Sequence, residues 1–220
     1  MRITVFGSCR QQTLYNYYQC TSIRDGLTYP HYSKEVVQAI EFCKGVSTIV
    51  PGLTQFLFRS GILDKKILSP ESFRSEFDAT DLFVIEIASR ISYEYAGFYA
   101  HHILTEPQYG FKHAQDVVQR DLSDTEIEQD LLRMKQLVSP KRMMIVSHIY
   151  SRKTGKRYEL VQLLRMLCAK HDIPFFDPVE QIGACDQANV YVKEDRLAHY
   201  SDLGHAMIGK KYKEFIDRLR

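Results

Sequence analysis

Neither sign of charge prevails in this chain of 220 residues: 29 Lys and Arg stand against 27 Asp and Glu, a net charge of +2. So even a balance builds no basic field, and nucleic acid is not an expected partner. No uncharged apolar run approaches the ~20 residues that a membrane helix needs, so no membrane span is expected. Met1-Arg2 leads straight into a strand-like run, without a basic segment and an apolar one in succession, so no secretory signal is expected. The five cysteines are odd in number and irregularly spaced, which argues against a disulfide framework and for a reducing, cytoplasmic compartment. The chain also lacks Gly-x-Gly-x-x-Gly and the Gly-Lys-Ser/Thr phosphate loop, which removes the common dinucleotide and P-loop cradles. Internal repeats and low-complexity linkers are missing too.

What is present suits a globular domain. Hydrophobic residues make up 45%, enough for a sizeable core and too many for global disorder. The length favours one domain, given the usual ~100–200 residues per domain. Four near-continuous apolar runs read as buried parallel strands: Arg2–Gly7, Asp81–Ala88, Arg142–Ile149 and Pro174–Asp177. A fifth strand is expected around Thr21–Arg24 or Ser47–Val50. Between the strands lie helical patterns. Ser69-Pro70-Glu71 offers an N-cap with proline at the first helical position. Ser123-Asp124-Thr125-Glu126 is a capping box, followed by Ile127, Leu131, Met134 and Val138 on one stripe. Leu160, Leu163, Leu164, Leu167 and Cys168 form the next stripe, and Ile208, Tyr212, Phe215, Ile216 and Leu219 the last, after Ser201. Strands alternating with helices predict a doubly wound α/β sheet. The Tyr- and His-rich stretch 93–122 reads as an insertion over the sheet's carboxyl edge.

Ligands of such sheets bind at the carboxyl ends of the strands, which directs attention to Gly7-Ser8-Cys9-Arg10. A nucleophile at a strand-to-helix turn gains an oxyanion cradle from helix N–H groups and a positive local potential that favours a thiolate. Arg10 adds to that potential, and glycine lets substrate approach. The plainer reading makes Cys9 a small packed residue and Ser8 a cap. Near the other end, Lys193–His205 carries two histidines and three carboxylates. A loop histidine oriented by a carboxylate can deprotonate a nucleophile and then protonate a leaving group; His199 suits this role. Ser201 and Asp202 instead look like a helix start, which would put His205 in the first helical turn.

Other residues are weaker candidates. Cys168 and His171 lack a second pair for zinc, and Cys168 falls on a core stripe. His101 and His102 are adjacent, so they are expected on different faces rather than as paired ligands, with one of them left to line a pocket. His148 ends a strand at the functional edge and is a substrate-pocket candidate. Tyr15, Tyr17, Tyr18, Tyr93, Tyr95 and Tyr99 suit stacking on sugar rings.

Taken together, the two end motifs resemble the SGNH (GDSL-type) hydrolase superfamily. Ile3-Thr4-Val5-Phe6-Gly7-Ser8-Cys9 is similar to its opening block and places Cys9, with Ser8 beside it, at the nucleophile position. His199-Tyr200-Ser201-Asp202-Leu203-Gly204 is similar to its His-Pro-Ser-x-x-Gly stretch, which gives His199 the catalytic role. The family acid stands three residues before the histidine, where this chain has Arg196; Asp195, one residue earlier, is the acid the resemblance leaves. The family's asparagine has no counterpart, since the only asparagines are Asn16 and Asn189. Ser89 or Arg90 then supplies the oxyanion donor, with Arg10 and His148 nearby. The resemblance implies a three-layer α/β/α, flavodoxin-like domain over 1–220. It also implies an acyl-ester hydrolase or O-acyltransferase, and the Gly-Ser-Cys opening is similar to offshoots found with surface-polysaccharide biosynthesis. A small molecule or carbohydrate is the expected substrate and acyl-CoA a candidate donor, with no metal required. The rival reading is a non-catalytic carbohydrate- or nucleotide-binding module on the same scaffold.

Overall fold

Five parallel strands form the centre of the computed structural model, which describes residues 1–150, 152–182, 190–192 and 199–219. In chain order the strands are β1 Arg2–Phe6, β2 Gln19–Cys20, β3 Leu82–Ile87, β4 Ile91–Tyr95, β5 Phe98–Tyr99, β6 Val118–Asp121, β7 Arg142–Ser147 and β8 Phe175–Phe176. The parallel sheet runs β2-β1-β3-β7-β8, while β5-β4-β6 form a separate antiparallel sheet. The strand order reverses between β1 and β3, and loops leaving those two carboxyl ends diverge to opposite faces. That divergence opens a crevice where ligands of doubly wound sheets bind.

Alternate residues of each central strand feed two cores. Phe6, Phe83, Ile85, Ile87, Met143 and Ile145 pack under helices Ser33–Cys43, Glu71–Asp78 and Asp124–Val138. Ile3, Val5, Leu82, Val84, Met144 and Val146 pack on the other face, against helices Pro178–Ile182 and Asp202–Arg218. Both faces are therefore covered, which explains why the strands read as unbroken apolar runs. The result is a mixed α/β fold with a mainly parallel central sheet between helical layers.

Most local signals hold. The Ser123 hydroxyl accepts from the Glu126 N–H while the Glu126 carboxylate accepts from the Ser123 N–H, closing the capping box. Ser201 caps the last helix by accepting from the Gly204 N–H at 3.1 Å. The fifth strand departs from expectation: β2 lies at Gln19–Cys20, just before Thr21, whose N–H still bonds the Ile3 carbonyl at 2.9 Å. Two residues are too few to leave an apolar run in the sequence. Residues 47–50 carry no strand.

The chain's two ends meet directly. A short 3-10 helix, Cys9–Asn16, follows β1, and Thr13 Oγ1 donates to the His205 carbonyl at 2.9 Å. A Cβ on Gly209 would lie 2.1 Å from Thr13 Oγ1, so the close approach of the two helices needs glycine there.

Candidate functional site

The carboxyl ends of β1, β3 and β7 converge on one buried carboxylate. Glu86 sits inside β3, 1% exposed, and its Oε2 accepts the Ser8 N–H at 2.7 Å. Its Oε1 lies 2.8 Å from Nδ1 of His148, which follows β7 and is also buried. Gly7 makes the first contact geometrically feasible, because a Cβ there would stand 2.9 Å from the Cβ of Glu86. Burial alone would raise the Glu86 carboxyl, but the His148 hydrogen bond and charge, with Arg10 and Ser8, outweigh it and bring it down to about 2. Burial lowers His148 below its ordinary value despite Glu86. At neutral pH the pair is therefore a carboxylate holding a neutral imidazole. Glu86 can only accept, so Nδ1 carries the proton and Nε2 the lone pair.

Ser8 and Cys9 differ in their surroundings. Ser8 is the N-cap of the Cys9–Asn16 helix, and its Oγ receives Arg10 Nη1 at 3.0 Å. Ser8 is buried, whereas Cys9 is half-exposed. The Arg10 charge also acts on Glu86, His148, His31 and Arg157, so this edge of the sheet is cationic around one buried anion.

His31 enters from the loop before helix Ser33–Cys43. Its carbonyl accepts the Ala88 and Ser89 N–H groups at 2.9 and 3.0 Å, tying that loop to the end of β3. The His31 N–H in turn donates to Oε2 of buried Glu35 at 2.7 Å. Burial pushes the Glu35 carboxyl up to about 8. A folded-state pKa above the ordinary ~4.3 gives stability that is present below that value and lost as pH rises toward 8. Glu35→Gln keeps an acceptor and removes the titration. Its stability relative to wild type, measured by urea unfolding, should therefore climb between pH 5 and pH 8 and level off above. A difference independent of pH would show that Glu35 does not titrate there.

A model of the TviD N-terminal domain matches residues 1–116, over half of the chain. The chain belongs to the TviD N-terminal domain family. Gly7–Arg10, His31 and Glu86 lie within the TviD-matched part, while His148 and His199 lie beyond it. No curated protein matches the chain. Among solved structures, the chain is similar to the native aryl esterase of M. smegmatis at 14% identity. That alignment covers 100% of this chain and 99% of the esterase, with a TM-score of 0.40.

In this TviD-family chain the other sequence candidates fall as follows. His199 is exposed, on the segment whose neighbour Tyr200 bridges to Tyr191. Tyr200 is buried, which raises its hydroxyl well above the ordinary tyrosine value. Asp195 lies outside the described residues. His205 is in the first turn of helix Asp202–Arg218, its N–H bonded to the Ser201 carbonyl at 2.8 Å. The Arg90 guanidinium is tied to the Leu122 carbonyl and to Asp124, and Ser89 Oγ accepts the Ile91 N–H. Ser89, Arg90 and Arg157 border a cleft of about 190 Å³. Cys168 is buried in the core and the His171 ring pairs with Glu128, which supports packing over zinc ligation. Tyr93, Tyr95 and Tyr99 lie on strands of the small sheet and pack against the core.

Two residues escaped the sequence reading. Glu86 left one signal, a lone carboxylate in the otherwise apolar run Leu82–Ile87. His31 left none. His101 and His102, expected on different faces, have ring centroids 4.5 Å apart. His101 is extended and His102 begins a 3-10 turn, so the strand-like alternation fails between them.

Proposed function

We propose that the chain transfers or hydrolyses an acyl group at the β1–β3 crevice, acting on a carbohydrate hydroxyl ester of the surface-polysaccharide class. Membership of the TviD N-terminal domain family supports an acyl-transfer or hydrolytic role. The single observation that carries the reading is the half-exposed Cys9 beside a turn anchored by the buried Glu86–His148 pair. In this reading His199 takes the Cys9 proton, and the thiolate attacks the ester or thioester carbonyl. The oxyanion collapses, the donor's oxygen or sulfur leaves with the proton from His199, and an acyl-cysteine thioester remains. A water or sugar hydroxyl gives its proton to His199 and attacks the thioester, and the departing Cys9 sulfur takes that proton back from His199. Arg10 and Arg157 favour an anionic substrate or an anionic donor such as acyl-CoA.

A second assignment of the base rests on a specific observation. The Nδ1 of His148 is fixed by Glu86 at 2.8 Å, the orientation a carboxylate imposes on a catalytic imidazole, which leaves Nε2 as acceptor. Release of p-nitrophenol from its acetate and acetyl transfer from acetyl-CoA to an acidic polysaccharide test the function. Activity absent in both assays would overturn it. His199→Ala should remove activity and leave the chain folded, because an exposed side chain adds little packing. His205→Ala should keep activity and lose at most ~1 kcal/mol of stability, as helix-surface changes do. If only His148→Gln is inactive while folded, the base is His148.

A further inference from the structure

His31, His101 and His102 bring three imidazoles to one place, each offering a nitrogen, with those nitrogens all within 4.8 Å of one another. The ring centroids are 5.0, 4.5 and 4.5 Å apart. Imidazoles bound tetrahedrally to zinc through Zn–N bonds of ~2.1 Å have their nitrogens about 3.4 Å apart and their centroids about 5 Å apart. The ring spacing is close to that, and around an ion the nitrogens would have to close in from within 4.8 Å to about 3.4 Å.

The outer ring nitrogens of His101 and His102 have the partners that a metal ligand needs. Ligating histidines give their other ring N–H to a carbonyl or carboxylate, which fixes the tautomer. His101 Nε2 donates to the Tyr29 carbonyl at 3.0 Å, leaving the lone pair on Nδ1, which meets the Ile103 N–H at a long 3.3 Å. His102 Nδ1 lies 3.2 Å from Glu106 Oε1, leaving the lone pair on Nε2. The His101 ring is fully buried, whereas His31 and His102 are half-exposed, so an ion has a route in and a side open to a further ligand. Arg59 and Arg10 act against a cation here, and Glu86 and Glu106 act in its favour.

The backbone around the three rings is fixed independently of any ion. The His101 N–H donates to the Leu57 carbonyl at 2.8 Å, and Tyr32 Oη donates to the Tyr93 and Ala100 carbonyls. His31 is held through Ala88, Ser89 and Glu35, as described above. We propose that His31, His101 and His102 form a three-histidine site for a divalent transition-metal ion, zinc in the first place, with a fourth position open to water or an oxygen ligand. Three imidazoles select zinc, cobalt or nickel over magnesium and calcium, which take oxygen ligands. The proposal does not depend on the acyl-transfer reading.

The test uses the full chain, freed of metal by a chelator and titrated with Zn²⁺ against a chromophoric competitor. One Zn²⁺ per chain is expected, with affinity lowered at least a hundredfold in His31→Ala and His102→Ala. Glu106→Gln, which leaves the ligands intact, should weaken binding by about 10- to 100-fold. His113→Ala, at an exposed histidine, should change nothing. Co²⁺ in place of Zn²⁺ should give visible absorption of tetrahedral type that His102→Ala abolishes. Far-UV circular dichroism shows whether each variant is folded, and if His31→Ala is not, His102→Ala and Glu106→Gln decide. No saturable Zn²⁺ binding by the folded chain, or equal affinity in the folded variants, overturns the site.

Discussion

Alanine in place of Cys9 is expected to lower acyl turnover by at least on the order of a thousandfold, as loss of a nucleophile does, while the chain still folds. Cys9 is the first residue of its short helix and half-exposed, so its removal leaves only a small gap at the surface of the turn. Ser8→Ala should act differently. The Ser8 hydroxyl is buried and spent on capping, accepting from the Arg10 N–H and from Arg10 Nη1 at 3.0 Å. Its removal should cost about 0.5–2 kcal/mol of stability, the usual range for a lost N-cap. Activity should fall much less than with Cys9→Ala, since the Ser8 N–H contact with Glu86 survives. Steady-state rates of p-nitrophenyl acetate hydrolysis, with urea unfolding of both variants, check the pair of outcomes. Equal loss of turnover in the two would place the nucleophile at Ser8 or outside the turn.

The largest effect on stability is expected at Glu86. Glu86→Ala strands the His148 Nδ1–H and the Ser8 N–H in the interior and opens space inside a central strand. Each buried donor left unpaired typically costs about 1–3 kcal/mol, so the two together are a large share of the ~5–15 kcal/mol that holds a domain folded. Glu86→Gln keeps the shape and one acceptor, so its cost should be clearly smaller. The pH dependence has a defined sign. Glu86 is held at about 2, below the ordinary carboxylate, so its stabilisation is present above ~4.3 and lost as pH falls toward 2. His148 is also lowered, so stability begins to fall once pH drops below the ordinary ~6.5 of a histidine. Urea midpoints between pH 7 and pH 3 should therefore fall more steeply in wild type than in the double variant Glu86→Gln/His148→Gln, in which neither group titrates. Parallel curves would show that the pair contributes nothing to acid sensitivity.

The sequence by itself determined the layers. The runs at Arg2–Phe6, Leu82–Ile87 and Arg142–Ser147 are apolar on both alternations because both faces of the sheet are covered, and that pattern is visible in one dimension. The caps at Ser123 and Ser201 were equally legible, since a capping hydroxyl bonds within three residues of itself. So was the turn at Gly7–Arg10, where a strand must give way to a helix. Tertiary structure decided what surrounds that turn. Glu86 and His148 are 62 positions apart, and Glu86 and Ser8 are 78 apart; only the parallel register of β1, β3 and β7 puts them in contact. His31 meets His101 and His102 because its carbonyl is bonded to the end of β3 and a turn begins at His102. Local chemistry repeats along the chain and can be read there, whereas the meeting of distant polar groups depends on strand order and register, which no short stretch of sequence encodes.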